Sequence, residues 1–286
     1  MPRYLTFALI APLSAFGGVA VGERRDGFDR PARSAILGLV AACLGLTRDD
    51  PRQDDLARDY GLALLCHAPG QLLTDFHTAQ MPSAQRNTRF RTRAQELATP
   101  DLNTTLSRRD YRAGSWHLGA LWLRTETAPW SLDDLVQAMR TPVFTPYLGR
   151  KSCPLGLPLA PDLQDHENAV SALRDRYRQG PEGRLSLTSS SSPQAGHQER
   201  TTLRHTLART APNRRHWAEW DRLTTPAEAQ SEHTMRHMIV MDQRDADQHG
   251  LPDETIQTVF RRDQPRSRTR WQFDLREEAV MTVPVL

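Results

Sequence analysis

Lysine is nearly missing from this chain of 286 residues: Lys151 is the only one among 37 basic side chains. Arginine replaces it throughout, a whole-chain usage pattern that by itself names no partner. What the replacement changes is chemistry, because a guanidinium forks onto phosphate and lies flat on bases. Cysteine is scarce as well. Cys43, Cys66 and Cys153 are odd in number, widely spaced and without a CxxC pair. That excludes a disulfide framework and a cysteine-built zinc site, and it fits a reducing cytoplasm. No apolar run approaches the length of a membrane span, so no membrane contact is expected. Arg3 and the apolar stretch from Leu5 to Ala15 imitate a secretory signal. Pro12 interrupts that stretch, however, and no small-x-small cleavage site follows before Glu23-Arg24-Arg25.

What is present is ordinary in bulk and uneven in detail. With 38% hydrophobic and 25% charged residues, the chain is neither collagen-like nor wholly disordered. Its length suits one large domain or two small ones. The net charge of +3 is concentrated: between His77 and Ser115 seven arginines face three acids. A basic arm on a near-neutral body suits a phosphate backbone; the same stretch also reads as a solvated, arginine-rich loop.

Along the chain, Tyr4 to Ala11 reads as a buried strand ended by Pro12, and Ser34 to Leu44 as a helix. Ser34 is its expected cap, Ile36, Leu37, Val40, Ala41 and Leu44 its apolar stripe, and Gly45 its terminator. Strands are expected at Leu62–Cys66, Leu72–Thr78 and Trp116–Leu123. Residues 79–113 lack any apolar period and read as an exposed arm or long hairpin. Ser131 opens a second helix with Leu132, Leu135, Val136 and Met139 on one face. This order suggests an α/β, ferredoxin-like sandwich, a fold that hosts many functions. Beyond Pro161 the character changes. Ser186 to Gly196 reads as a linker, Glu199 to Leu223 as partly helical, and Met238–Met241, Ile256–Arg261 and Trp271–Leu275 as strands returning to the sheet.

Two segments carry binding chemistry. In Arg30-Pro31-Ala32-Arg33-Ser34, two arginines precede a helix whose free N–H groups and dipole favour an anion; an amphipathic helix with a basic entry is the plainer reading. In Thr145-Pro146-Tyr147-Leu148-Gly149-Arg150-Lys151-Ser152-Cys153-Pro154, an aromatic ring, two cations and a hydroxyl crowd one turn. Such a turn can stack a base while meeting phosphates. Tempting alternatives are weaker. His233 and His237 have helical metal-ligand spacing but no HExxH glutamate, His67 and His117 read as strand residues in the core, and 165–168 is too short for a nuclease core.

The stretch RPARSAILGLVAACLGLTRDD, DFHT at 75–78, SRRDYRAG at 107–114 and TPYLGRKSCPLGLPL at 145–159 together resemble the CasD family, the subtype I-E members of the RAMP superfamily of CRISPR systems. The match runs over about 4–161 and returns weakly from Met238. The resemblance implies a ferredoxin-like (RRM-like) domain over 1–161 with a hairpin thumb at about 79–113, and C-terminal strands over 237–286. Residues 162–236 read as an insertion that departs from the family pattern. It also implies a non-catalytic subunit, without cofactor or metal, that grips the 5′ handle of a crRNA and caps the Cascade backbone filament. Its partners would be the backbone subunit, the large subunit and, in the assembled complex, target DNA. Carried onto this sequence, the RNA-binding residues are Arg30, Arg33, Ser34, His77, Arg108, Arg109, Tyr111, Tyr147, Arg150, Lys151 and Ser152. Two rivals stand beside it. One is a metal-independent endoribonuclease using His77, Tyr147 and Lys151, as subtype I-C relatives process their guides. The other is a general nucleic-acid binder indifferent to handle sequence.

Overall fold

The computed structural model describes residues 1–18, 20, 22–83, 89–180, 236–251, 256–267, 270 and 272–284. Its frame is a βαββαβ unit made of β1 (Arg3–Ser14), α1 (Arg33–Cys43), β3 (Tyr60–Ala68), β5 (Leu102–Leu123), α4 (Leu132–Arg140) and β6 (Asp162–Asp165). These strands lie in the order β6-β1-β5-β3 with every neighbour antiparallel. That is the ferredoxin-like arrangement the sequence predicts. The C-terminal strands β7 (Arg236–Asp242), β8 (Gln257–Ser267) and β9 (Gln272–Pro284) extend the sheet beyond β3 in the order β7-β9-β8. The expected returning strands are therefore present, although Trp271 lies outside the described residues.

The continuous apolar run of β1 is explained by burial on both faces. Leu5, Phe7, Leu9 and Ala11 meet α1 and α4, while Tyr4, Ala8 and Ile10 point to the opposite layer. α1 contributes Ile36, Leu37, Val40 and Cys43 to the first core, with Leu56 from α2 (Arg52–Asp59) beside it. α4 is closed at its start by the predicted capping box, Ser131 with Asp134. Pro12 does not end β1 as expected. Its missing N–H lies between the Ala11↔Ser115 and Leu13↔Ala113 pairs, and β6 flanks only Arg3–Thr6, so no ladder bond is lost there.

The boundary expected at residue 162 is displaced. β6 pairs with β1, and α5 (Ala169–Gln179) buries Ala169, Val170, Leu173 and Tyr177 on the second face of the sheet. Residues 162–180 thus belong to the core, and the sheet is covered on both sides. The Ser-rich linker, the 199–223 helix and His233 lie outside the described residues.

β4 (Gln71–Pro82) pairs with the outer half of β5 from Gln71↔Ala113 to Pro82↔Leu102, and a short helix α3 (Arg93–Leu97) lies in their connection. This hairpin is the expected thumb, and it starts earlier than residue 79. β5 is one unbroken strand of 22 residues that runs from the core into the thumb. The two-residue β2 (Arg24–Arg25) runs parallel to β5 on its other edge, opposite Arg108 and Arg109. Among the described residues no helix is long and apolar enough to cross a membrane. All three cysteines are buried and unpaired.

Three imidazoles are locked in the core. His67 Nδ1 lies 3.1 Å from His237 Nε2, beneath Tyr177, and His117 packs edge-on to Phe16. Burial pushes His67 and His117 down to about 3, and burial with Arg174 nearby pushes His237 down to about 4. A histidine held neutral in the fold but free to protonate when unfolded favours unfolding as pH falls. Its contribution is complete above about pH 6.5 and declines below it, by up to about 1.4 kcal/mol per pH unit for each ring. Thermal melts between pH 7.5 and 5 should show a falling Tm, with a shallower slope in His67→Gln. A Tm constant across that interval would contradict this assignment.

Candidate nucleic-acid interface

The loop Tyr147–Pro154 is a built turn. Tyr147 and Pro154 form a β-bridge, the Leu148 N–H donates to Cys153 O at 2.8 Å, and the Cys153 N–H donates to Arg150 O at 2.8 Å. The Ala15 N–H, just past β1, donates to Leu148 O at 3.0 Å. Leu148 and Cys153 are the buried pins. Gly149 sits at φ +88, and a Cβ there would stand 1.8 Å from Ala15 O, so no other residue fits. With the apolar pair inside, Tyr147, Lys151 and Ser152 are left facing solvent, and Arg150 half so.

Arg150 reaches across to the thumb. Its guanidinium lies over the Tyr111 ring on β5, 4.5 Å from the centroid, a cation–π contact between two motifs that are far apart in sequence. Beside Tyr111, Arg24 stands opposite Arg108 and Arg25 opposite Arg109. Successive side chains on a strand point to opposite faces, so Arg25 and Arg109 share the face of Tyr111, while Arg108 and Arg24, which pairs with Asp26, lie on the other. Like charges side by side destabilise a sheet, and a bound anion offsets that cost. Asp110, between Arg109 and Tyr111 in the chain, is buried, where it accepts from Thr74 Oγ1 at 2.9 Å and from the Gly27 N–H at 3.3 Å. It ties the 15–28 loop to the thumb root.

The other predicted contacts separate from this cluster. His77 faces the Asp75 carboxylate and lies four positions beyond Leu73, the partner of Tyr111, hence about 13 Å further out.

Arg30, Arg33 and Ser34 depart most from expectation. α1 begins at Arg33 after the N-cap Ala32, with no side-chain cap from Ser34. The anion that this helix end attracts is the chain's own: Asp263 Oδ2 accepts from the Arg33 N–H at 2.9 Å. The Arg33 side chain is buried, donating to Ala57 O at 2.9 Å and Tyr60 O at 2.8 Å, with Asp242 at 3.7 Å. Burial pulls its pKa down, and Asp242 opposes that. Arg30 pairs with Glu278 and with Asp29; burial works against its charge, but Glu278 outweighs burial and raises its pKa. Arg276 completes the cluster, forked onto Asp263 at 2.7 and 2.9 Å and bonded to Glu278 at 2.8 Å. These arginines are buttresses, and their carboxylate partners on β7, β8 and β9 were not foreseen. The pairing of Arg24 and Arg25 with β5 was not foreseen either.

The strand order and the thumb define a RAMP-type ferredoxin-like protein. The chain belongs to the family described as CRISPR-associated protein (Cas_Cas5), whose model matches residues 4–277. It is 32% identical over 160 residues to the "CRISPR system Cascade subunit CasD" of Escherichia coli strain K12, spanning 56% of this chain and 70% of that protein. A solved structure described as "CRISPR RNA-guided surveillance complex" shares the fold at a TM-score of 0.59 and 20% identity, over 99% of this chain and 90% of that one. Among the described residues no group of three or more His, Cys, Asp or Glu side chains is placed to hold a metal.

Two substitutions separate buttress from contact. Arg33→Ala should lower stability by about 2–4 kcal/mol, since it removes the guanidinium bonded to the Ala57 and Tyr60 carbonyls and leaves a buried cavity, whereas Arg150→Ala should stay within about 0.5 kcal/mol. Gly149→Ala should cost roughly 1–3 kcal/mol through forced backbone strain. Urea denaturation of the three variants checks all of these, and equal midpoints for Arg33→Ala and Arg150→Ala would refute the division.

Proposed function

We propose that this chain is the subunit of a type I-E Cascade surveillance complex that grips the 5′ handle of the crRNA, without cutting it, at one end of the backbone filament. Its neighbours there are the backbone subunit and the large subunit, with target DNA entering in the assembled complex. The observation that carries this reading is the stack of Arg150 on Tyr111. It joins the 145–154 turn to the thumb root, on the face that Tyr111 shares with Arg25 and Arg109. Cations there meet phosphates and set position, while Tyr147 and Ser152 offer stacking and hydrogen bonding to unpaired bases, as in single-stranded RNA recognition. Family membership and the relative in Escherichia coli support the same reading. Arg108, Arg109, Tyr111, Tyr147, Arg150, Lys151 and Ser152 are the proposed contacts. Arg30 and Arg33 brace the start of α1 against β8 and β9.

Arg150→Ala combined with Lys151→Ala should leave the chain folded, weaken binding of repeat-derived RNA and reduce assembly with the other Cascade subunits. Removing two phosphate contacts should also flatten the plot of log K against log salt by about 1.4, at about 0.7 per contact on a single strand. Filter binding of handle and scrambled RNA at fixed salt measures this. Equal affinity for both RNAs would leave only a general binder. Specific cleavage in EDTA that is lost in His77→Ala would replace grip with catalysis.

A further inference from the structure

One exposed aromatic ring near the thumb root is held in place by an unusual amount of structure. Phe28 is 45% exposed, yet one face of its ring rests on the Arg261 guanidinium, 4.6 Å from the centroid. Arg261 is itself buried, donating to Pro31 O at 3.2 Å and Arg30 O at 2.9 Å, with Asp263 and Glu278 at 4.0 and 3.9 Å. The Phe28 backbone is fixed at both polar groups. Its N–H donates to Phe16 O at 2.8 Å, and its carbonyl accepts from Arg112 Nε at 3.2 Å. Gly18 lies against the Cε2 edge, where a Cβ would approach to 2.7 Å.

A large apolar side chain held rigid while nearly half exposed pays its ordering entropy before any ligand arrives. Its setting favours one kind of ligand. The ring stands among guanidinium groups, with Arg112 bonded to its carbonyl and Arg25 and Arg24 three and four residues before it. A protein-docking core is depleted of charge, whereas single-strand sites combine a cationic track with flat aromatic rings on which bases stack. Position agrees. Phe28 hangs from Phe16, and the Arg150 turn hangs from the preceding residue, Ala15. Standard bond lengths put the two attachment points on the order of 10 Å apart, within reach of one short stretch of RNA.

We propose that Phe28 is a stacking platform for an unpaired nucleobase of the bound single-stranded RNA, and that Arg261 is the positioning residue that holds the ring in place. The proposal rests on the handle-binding reading for the identity of the strand, while the stacking itself is testable apart from handle sequence.

Repeat-derived and scrambled RNA oligonucleotides, each carrying 2-aminopurine at one position in turn, are bound to the full-length chain. One probe position should be quenched on binding by wild type and by Phe28→Trp, but not by Phe28→Leu, which keeps the bulk and loses the π-face. Phe28→Leu should bind about tenfold more weakly, with an unchanged melting temperature. Arg261→Met, which loses the cation and keeps length, should reduce the quenching at that same position. Equal quenching and affinity in wild type and Phe28→Leu overturns the platform, even while the Arg150→Ala, Lys151→Ala variant still fails on handle RNA. Phe28→Leu that binds RNA normally but no longer joins its partner subunits makes Phe28 a protein contact and likewise overturns it. Quenching that depends on Phe28 with handle and scrambled RNA alike sustains the platform and removes the handle reading. No binding of either RNA overturns both.

Discussion

Most of this architecture depends on a cluster of charges that water does not reach. Asp263 and Glu278, on the last two strands, hold Arg276 between them and meet the N-terminus of α1 through the Arg33 amide and the Arg30 side chain. Buried ions of one sign cost several kcal/mol each, and only close partners of the other sign offset this. The cluster is therefore far more demanding about geometry than an apolar contact would be. It specifies where the C-terminal extension docks, and so where the 15–33 loop sits relative to the thumb. The exposed basic surface and the buried basic cluster are two uses of arginine in one chain: one side faces solvent, the other carries its own counter-ions.

Much of the fold was legible because its signals are local. β1, β3, α1 and α4 are short apolar patterns with ordinary boundaries, and Ser131 with Asp134 announces a helix start in four residues. The start of the thumb was legible as the strand Leu72–Thr78, within β4, but the rest only as a lack of pattern. With both faces of β4 exposed, Leu72, Leu73 and Phe76 all remain outside, so the alternation that marks a half-buried strand never develops. β6 and α5 were assigned to an insertion because Asp162–Asp165 is polar and short. Its strand character comes from pairing with Arg3–Thr6, which no local window reports.

The site divides along the same line. The 145–154 turn was readable because most of what shapes it is contained in ten residues: the two prolines, Gly149, and the apolar pins at 148 and 153, with only Ala15 coming from elsewhere. Arg30 and Arg33 were misread for the opposite reason. The carboxylate that satisfies the start of α1 comes from a residue 230 positions later, and a helix N-terminus carries the same signature whether its anion is foreign or internal. Phe28 went unnoticed as well, since a single phenylalanine in a glycine-containing loop has no pattern, and its support by Arg261 is again long-range.

The unbroken course of β5 has a mechanical side. Eleven residues beyond Ala113 place the outer end of the thumb roughly 36 Å from the core at strand spacing, and the same backbone continues inward as the middle strand of the frame. Gly70 and Gly114, both at positive φ, mark the corner where the arm leaves the body. An arm built this way works as a crank, with its bearing at the two glycines and its axle running through the centre of the sheet. Torque applied at the far end is delivered to the ladder between β1 and β3 and does not dissipate in a slack loop.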